Sequence, residues 1–204
     1  MNTGEINTLE TKNKCDVAFN RDGKITFTDG REIPYKHGVT EVKERQFKNN
    51  ERIAEIRLPA SIASVGNRAF WACKGLLRLE LPEGVKVIGP WAFALCEKLE
   101  YISFPTTLKE LGISAFGLCF SLKSVLLPTG ITAVSDWCFH ACPRLEEIKI
   151  PKNVTSVGAN AFFGCINIKR VFYEGTEEEW SKVKIENGNE EFKKAEVHFN
   201  CKFV

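Results

Sequence analysis

The chain carries almost no excess of charge of either sign. Its 28 lysines and arginines are nearly balanced by 26 aspartates and glutamates, so the formal net charge is +2, and both signs are mixed along the sequence. Electrostatic binding of nucleic acid or of an acidic membrane surface needs a strong basic patch. We therefore expect no nucleic acid among the partners.

Long apolar runs are also missing. No stretch of about 20 consecutive apolar residues occurs, so the sequence predicts no membrane-spanning helix and no membrane insertion. The first residues, Met1 to Lys14, are polar and lack the apolar run of about 7 to 15 residues that a secretory signal needs. Taken as written, the chain is expected to be cytoplasmic.

Motifs for common catalytic and cofactor sites are absent as well. We find no phosphate-binding loop, dinucleotide fingerprint, HExxH helix or EF-hand loop. The three histidines, His37, His140 and His198, form no arrangement typical of a hydrolase. The chain is therefore predicted to be no enzyme, with no catalytic residue, metal or cofactor.

What the chain does have is a 23-residue repeat. Phenylalanine recurs in strict register, at Phe47, Phe70, Phe93, Phe116, Phe139 and Phe162. Cysteine follows the last five by three residues, at Cys73, Cys96, Cys119, Cys142 and Cys165. A period of about 20 to 29 residues carried by apolar columns is typical of a solenoid, in which no coil buries its own apolar face.

Other columns divide each coil into short strands and bends. One aliphatic run ends at proline, at Pro59, Pro82, Pro105, Pro128 and Pro151. Proline supplies no ladder N–H, so a strand must leave the sheet there. Glycine follows a second aliphatic run, at Gly66, Gly89, Gly112 and Gly158, which suits a tight bend or a close backbone approach. A small residue precedes each of five phenylalanines, at Ala69, Ala92, Ala115, Cys138 and Ala161.

The unit LxxIxLPxxϕxxϕGxxAFxxCxx resembles the leucine-rich repeat of the BspA-like type, found in bacterial and some protozoan surface proteins. The resemblance covers residues 33–173. It implies an α/β solenoid: a right-handed superhelix with a parallel β-sheet on its concave face and about six coils. It also implies a cell-surface or secreted location, and a role in adhesion or in host or cell-cell interaction.

The two ends depart from the repeat. Strand-like runs at Cys15 to Phe19 and Lys24 to Phe27, separated by Asp22-Gly23, predict a hairpin cap, and a second turn signal stands at Asp29-Gly30. Thr176 with three following glutamates predicts a capped helix. Asn189 is predicted to cap another helix, and Val197 with Phe199 to form a closing strand.

We accordingly divide the chain into a polar N-terminus and hairpin cap (1–32), a solenoid (33–173) and a helix-containing C-terminal cap (174–204). Because both ends are expected to be sealed, the protein is predicted to be a monomer.

The cysteines admit two interpretations. Periodicity favours small apolar side chains packed in the core. The alternative is a thiol enzyme or a metal site centred on Cys138, His140 and Cys142, the one place where two cysteines and a histidine crowd together.

Two faces compete as the binding surface. On the strand face, side chains between the buried positions point outward, and the candidates are Arg78, Glu80, Tyr101, Ser103, Ser124, Leu126, Glu147 and Lys149. Tyr101, Ser103, Ser124 and Leu126 form a neutral patch among charges, the composition of a modest recognition surface. Equally, the opposite charges in neighbouring strands, such as Glu55 and Arg78, serve only to stabilise the sheet.

The other candidate face carries Trp71, Trp91 and Trp137. Exposed tryptophans anchor interfaces, but these rings also suit lids over the corners of the coils. We therefore expect a non-enzymatic module that binds a protein or glycan partner, of the adhesion type or, alternatively, an intracellular scaffold.

Overall fold

The computed structural model describes residues 19–36 and 38–202. In this part of the chain, each coil contributes one strand to a broad sheet and one to a narrow sheet, giving about seven turns. The broad strands are β4 (Ile53–Arg57), β6 (Arg78–Glu80), β8 (Tyr101–Ser103), β10 (Ser124–Leu126), β12 (Glu147–Ile150), β14 (Arg170–Tyr173) and β16 (Glu196–His198). The narrow strands are β3 (Glu41–Val42), β5 (Ser64–Val65), β7 (Val87–Ile88), β9 (Glu110–Leu111), β11 (Ala133–Val134), β13 (Ser156–Val157) and β15 (Lys184–Ile185).

The expected α/β class is wrong, because the fold is a β-solenoid with little helix. In the described residues the only helices are α1 (Glu177–Trp180) and α2 (Glu190–Lys194), near the C-terminus. Between the narrow strand and the next broad strand, the repeat coils run through turns containing left-handed residues. Trp91 and Leu95, for example, have φ of 59° and 61°. A helix cannot pass through such residues, so this half of the coil is built of turns.

Both sheets are interrupted at the same junction. The broad strands from β4 onward pair in parallel, in the groups β4-β6-β8 and β10-β12-β14-β16. The narrow strands form the groups β3-β5-β7-β9 and β11-β13-β15. We number the coils from their broad strands, so residues 99–121 are coil 3 and residues 122–144 are coil 4. Pairing stops between coils 3 and 4 in both sheets.

The phenylalanines and cysteines of the repeat form the interior. Successive rings are stacked nearly parallel, with centroids 5.0 Å apart for Phe70 and Phe93 and 5.7 Å apart for Phe139 and Phe162. Each repeat cysteine donates its thiol to the carbonyl of the phenylalanine column one coil earlier, as from Cys96 Sγ to Phe70 O at 3.4 Å. The five thiols are buried and unpaired, so they are packing residues.

The N-terminal hairpin turns at a different place from the one predicted. Strands β1 (Phe19–Phe27) and β2 (Glu32–Lys36) pair in antiparallel fashion, and β1 also pairs antiparallel with β4. The turn is at Asp29-Gly30, where Gly30 has φ of +80° and the Asp29 carboxylate accepts the Arg31 N–H at 3.1 Å. Gly23 lies inside β1, packed against Pro59. The part of the predicted first strand at residues 15–18 lies outside the described residues.

The C-terminal segment adds a further, irregular coil instead of closing a six-coil stack. The predicted capping box at Thr176 is confirmed: its Oγ1 accepts the Glu179 N–H at 3.2 Å, and Glu179 Oε2 accepts the Thr176 N–H at 2.8 Å. Strands β15 and β16 then continue the narrow and broad sheets. The expectation of six coils was too low because the insertion of α1 and α2 breaks the 23-residue spacing.

Asn189 does not cap α2 through its side chain. Its amide is fully buried, accepts the Phe162 N–H at 2.9 Å and donates to Gly158 O at 2.9 Å. The first of these replaces the bond that the phenylalanine N–H of an earlier coil makes to the next coil, as from Phe139 N–H to Ala161 O at 2.8 Å. Phe192 stacks on Phe162 at 4.6 Å and extends the aromatic column. Asn189 and Phe192 therefore seal the last regular coil.

Two adjacent phenylalanines test how much the stacked phenylalanine column contributes to the stability of the fold. Phe162 is fully buried and Phe163 is 50% exposed. We expect Phe162→Ala to lower the free energy of unfolding by about 3–5 kcal/mol, because it leaves a cavity inside the stack. Phe163→Ala is the matched control and should cost about 1 kcal/mol or less. Urea denaturation of both variants measures the difference, and equal losses would contradict a column-based core.

Candidate functional site

The strand face places all eight predicted residues on one surface. Arg78 is opposite Tyr101 and Glu80 is opposite Ser103, while Ser124 is opposite Glu147 and Leu126 is opposite Lys149. The residue between each pair, such as Ile102 or Val125, is buried. Tyr101 and Leu126 are 45% and 43% exposed, so two large side chains stand in solvent on neighbouring strands of this surface of mixed charges.

A groove of about 320 Å³ lies between coils 3 and 4 on this face. We call it the strand groove. It is lined by Tyr101, Ser103, Ser124 and Leu126, and also by Ile102, Phe104, Thr106, Leu127, Pro128, Thr129 and Glu174. Four of the eight predicted residues therefore meet in one depression. The other four, Arg78, Glu80, Glu147 and Lys149, lie on the neighbouring strands.

Phe104 is the residue that sequence reasoning did not assign to the site. It stands in a column that holds the smaller Leu58, Leu81, Leu127 and Ile150 in four other coils and Tyr173 near the C-terminal end. Its ring is half-buried and stands edge-on to Phe116, with centroids 5.4 Å apart. The groove thus has an aromatic wall where its immediate neighbours have an aliphatic residue. The departure from the column was visible in the sequence, but its effect on the junction was not.

Ion pairs and hydrogen bonds surround the groove. Lys123 Nζ lies 3.5 Å from Glu100 Oε2, and Arg170 pairs with Glu147. The Arg78 guanidinium lies 5.0 Å from the centre of the Tyr101 ring, on its face. These contacts leave an apolar centre within a polar rim, the usual layout of a recognition surface.

One end of the groove is fixed by a carboxylate of the preceding coil. Glu83 accepts the Thr106 backbone N–H at 3.0 Å and the Thr106 hydroxyl at 3.0 Å. The backbone bond from Thr106 holds the pKa of Glu83 below its usual value, so this carboxylate is charged at neutral pH. Thr106 is thereby held beside the groove.

The tryptophan face is only partly assembled as predicted. Trp137 packs edge-on against the imidazole of His140 at 5.4 Å and against Phe163 at 6.0 Å, and Trp91 reaches the same imidazole at 6.2 Å. We call these four residues the aromatic row. Trp71 is not part of it, because its ring lies under Lys48 Nζ at 4.9 Å. Trp137 is 38% exposed, whereas Trp71 and Trp91 are half-buried.

The alternative site at Cys138, His140 and Cys142 is not brought together. Both thiols are fully buried, and burial raises the pKa of each. The His140 ring lies over Gly117, where a Cβ would overlap with it, and Nδ1 is 2.7 Å from Trp137 O. Within residues 19–36 and 38–202, no three His, Cys, Asp or Glu side chains are arranged to hold a metal ion. A neutral, inaccessible thiol is no nucleophile.

Comparison with known proteins agrees with the geometry of the repeat. The BspA type leucine rich repeat region matches residues 40–169 in six copies. The chain belongs to this family. No curated protein matches it by sequence. In the part of the chain that the structure describes, no helix is long and apolar enough to cross a membrane.

Solved structures show the same architecture. A leucine-rich cell-surface protein of Faecalibacterium prausnitzii A2-165 is 28% identical, with a TM-score of 0.61 over 82% of this chain and 42% of that one. The leucine-rich repeat protein of T. pallidum is 26% identical, with a TM-score of 0.52 over 75% of this chain and 91% of that one. The pneumococcal vaccine antigen PcpA shares the fold. It is 20% identical, with a TM-score of 0.56 over 89% of this chain and 48% of that one.

The chain spans less than half the length of the Faecalibacterium protein. The activity and partners of that longer protein can therefore only be proposed for this chain.

Thiol labelling tests whether the cysteines are inert. Burial raises the pKa of Cys73 to about 12, and a raised pKa keeps a thiol protonated at pH 8. In the folded protein we expect iodoacetamide at pH 8 to modify Cys201, which is partly exposed, long before Cys73, Cys138 or Cys142. Peptide mass spectrometry identifies the modified sites, with urea-unfolded protein as the control. Rapid labelling of Cys138 or Cys142 in the folded protein would contradict this prediction and support a reactive thiol site.

Proposed function

We propose that this chain is a non-enzymatic binding module that holds a protein partner through the strand groove. The observation that carries the proposal is the position of Tyr101 and Leu126: two exposed apolar side chains that flank the junction between coils 3 and 4, where the pairing of the broad sheet is interrupted. Family membership supports a binding role, and the Faecalibacterium relative is described as a cell-surface protein. We place the function at a cell surface, as adhesion to a host or to another cell.

The size of the groove suits a protruding side chain. Its volume of about 320 Å³ lies at the lower end of the ~300–1,000 Å³ range of ligand pockets, so it accepts one or two side chains. Phe104 and Leu127 supply apolar walls, and the hydroxyls of Ser103 and Ser124 supply polar contacts. An aromatic or aliphatic residue on a partner's loop fits this combination, which is how interface hot spots are built.

The charges around the groove contribute to the specificity of binding more than to its affinity. The Arg57–Glu80 and Lys123–Glu100 pairs are exposed, so each contributes about 1 kcal/mol or less to stability. Their alternation in sign discriminates among partners by charge pattern. We therefore expect the apolar centre to supply most of the affinity and the paired rim to set the orientation of the partner.

Two double variants separate the rival faces. Tyr101→Ala with Leu126→Ala removes the exposed apolar side chains of the groove, and Trp91→Ala with Trp137→Ala removes the tryptophans of the aromatic row. The first pair should weaken partner binding by at least about tenfold, because truncating a central anchor costs about 2 kcal/mol or more. The second pair should change affinity by less than about threefold.

The partner is first captured from purified host matrix proteins or a lysate of the source organism, and its affinity for each variant is then measured by calorimetry. Thermal unfolding of the variants controls for stability. Loss of affinity only in the tryptophan variant would move the site to the aromatic row. Full affinity in both variants would rule out both faces.

A further inference from the structure

Three sets of backbone hydrogen bonds join neighbouring coils in the regular part of the solenoid. On the broad sheet, the Glu100 N–H donates to Leu77 O at 3.0 Å, and on the narrow sheet the Lys109 N–H donates to Lys86 O at 2.8 Å. Along the turns, the Phe93 N–H donates to Ala115 O at 2.8 Å. We call the third set the turn ladder. These three ladders surround the core of the coil.

Two of the three ladders fail between coils 3 and 4. On the broad sheet the Glu146 N–H donates to Lys123 O at 2.9 Å, but within the described ranges the Lys123 N–H makes no backbone bond to Glu100. On the narrow sheet the Thr155 N–H donates to Thr132 O at 2.8 Å, yet the Thr132 N–H makes no backbone bond to Lys109 in the same described part. The strand groove opens at the first gap.

A second groove, of about 440 Å³, opens at the other gap. Its lining includes Leu111, Thr132, Ala133 and Ser135. Neither of the two faces predicted from the sequence contains it. Two faces of the solenoid are thus open at one junction.

Ser135 stands at the opening of the narrow sheet. Its column holds glycine in coils 1, 2, 3 and 5, at Gly66, Gly89, Gly112 and Gly158. In the irregular last coil the column holds Glu186, whose N–H still donates to Val157 O at 2.9 Å. In the regular coils this column approaches the preceding coil closely: a Cβ at Gly89 would lie 2.8 Å from Asn67 N, and one at Gly112 would collide with the Gly89 backbone. The Cβ of Ser135 therefore needs more room than glycine leaves in a regular coil. Its hydroxyl then donates to Leu111 O, replacing the bond that the Gly112 N–H makes to Ile88 O at 2.7 Å.

The turn ladder is intact at the same junction. The Phe116 N–H donates to Cys138 O at 2.9 Å, and the Leu118 N–H donates to His140 O at 2.8 Å. The Phe116 and Phe139 rings stay stacked at 5.7 Å. On this side the contact between Trp91 of coil 2 and His140 of coil 4 also spans coil 3.

We propose that the junction between coils 3 and 4 is a hinge, with the turn ladder as its axis, Ser135 at the open narrow ladder and Phe104 at the open broad ladder. Rotation about this axis widens or narrows the strand groove and the second groove together. A hinge of this kind needs few backbone bonds on the moving faces and a continuous set on the axis, and both conditions are met here. The inference goes beyond the proposed binding function and is independent of any partner.

Amide hydrogen exchange of the whole chain tests the open ladders. In the wild-type protein, protection factors at Lys123 and Thr132 should be lower than at Glu146 and Thr155 by at least about tenfold, since the first pair lacks ladder bonds. The double variant Ser135→Gly with Phe104→Leu restores both columns and should raise the protection at Lys123 and Thr132 to that of the neighbours. Equal protection in the wild-type protein would overturn the proposal.

Gly158→Ser is the opposite substitution: it puts a serine in the column of Ser135, one coil later. It should lower the protection of Thr155 and leave that of Lys109 unchanged. If Thr155 keeps its full protection, serine in this column does not open a ladder, and the role given to Ser135 fails.

Motion about the axis is measured separately, by the distance distribution between spin labels at Arg57→Cys and Lys149→Cys. These exposed positions lie in coils 1 and 5, on either side of the junction, and Cys15→Ser with Cys201→Ser removes competing thiols. The distribution should be broader in this chain than in the same labelled chain with Ser135→Gly and Phe104→Leu. Equal widths would show a rigid junction and overturn the hinge.

Discussion

The spacing between coils is the constraint on which the rest of this structure depends. Parallel strands pair only when they lie about 4.8 Å apart, and the stacked phenylalanine rings lie between 4.6 and 5.7 Å apart. Backbone ladder and aromatic column therefore need nearly the same repeat distance. Cysteine and alanine in the interior and glycine at the bend, as at Gly89, keep this distance available by staying small.

This constraint also explains why the variable residues carry the candidate function. A residue inside the coil contacts the coils above and below, so a larger side chain there must find room at a junction between coils, as Tyr173 does with its strand still paired to β12. Phe104 and Ser135 are such departures, and both lie at the junction where the sheets are interrupted. Residues that face outward from the coil, such as Tyr101 and Leu126, differ from one repeat to the next. The site therefore combines an interior departure, which makes the groove, with exterior departures, which give it an apolar surface.

Much of this could be predicted from the sequence, because the apolar columns recur every 23 residues and the capping box at Thr176 is local. The α/β class implied by the family resemblance was wrong, since nothing in composition reveals that Trp91 and Trp137 adopt positive φ, which excludes a helix between the two strands of a coil. The additional coil was missed because Phe192 lies 30 residues after Phe162, out of register. The outward candidates followed from strand alternation, but the groove depends on distances between coils, and no pattern within a single repeat encodes them.

The two candidate faces have opposite mechanical effects on the junction. In a stack where each coil contacts only its neighbours, a weakened interface is not compensated elsewhere. A partner bound in the strand groove, as we propose, would contact coils 3 and 4 on the open side, so its binding energy would act directly on the proposed hinge. The aromatic row lies on the closed side, where Trp91 and His140 join coil 2 to coil 4 across Gly117. Residue 117 is glycine, and the absence of a side chain there makes room for that contact. The junction between coils 3 and 4 is therefore bridged on this side and open on the other. In the proposed hinge, a continuous axis opposite the groove would let the groove change width without loss of the core.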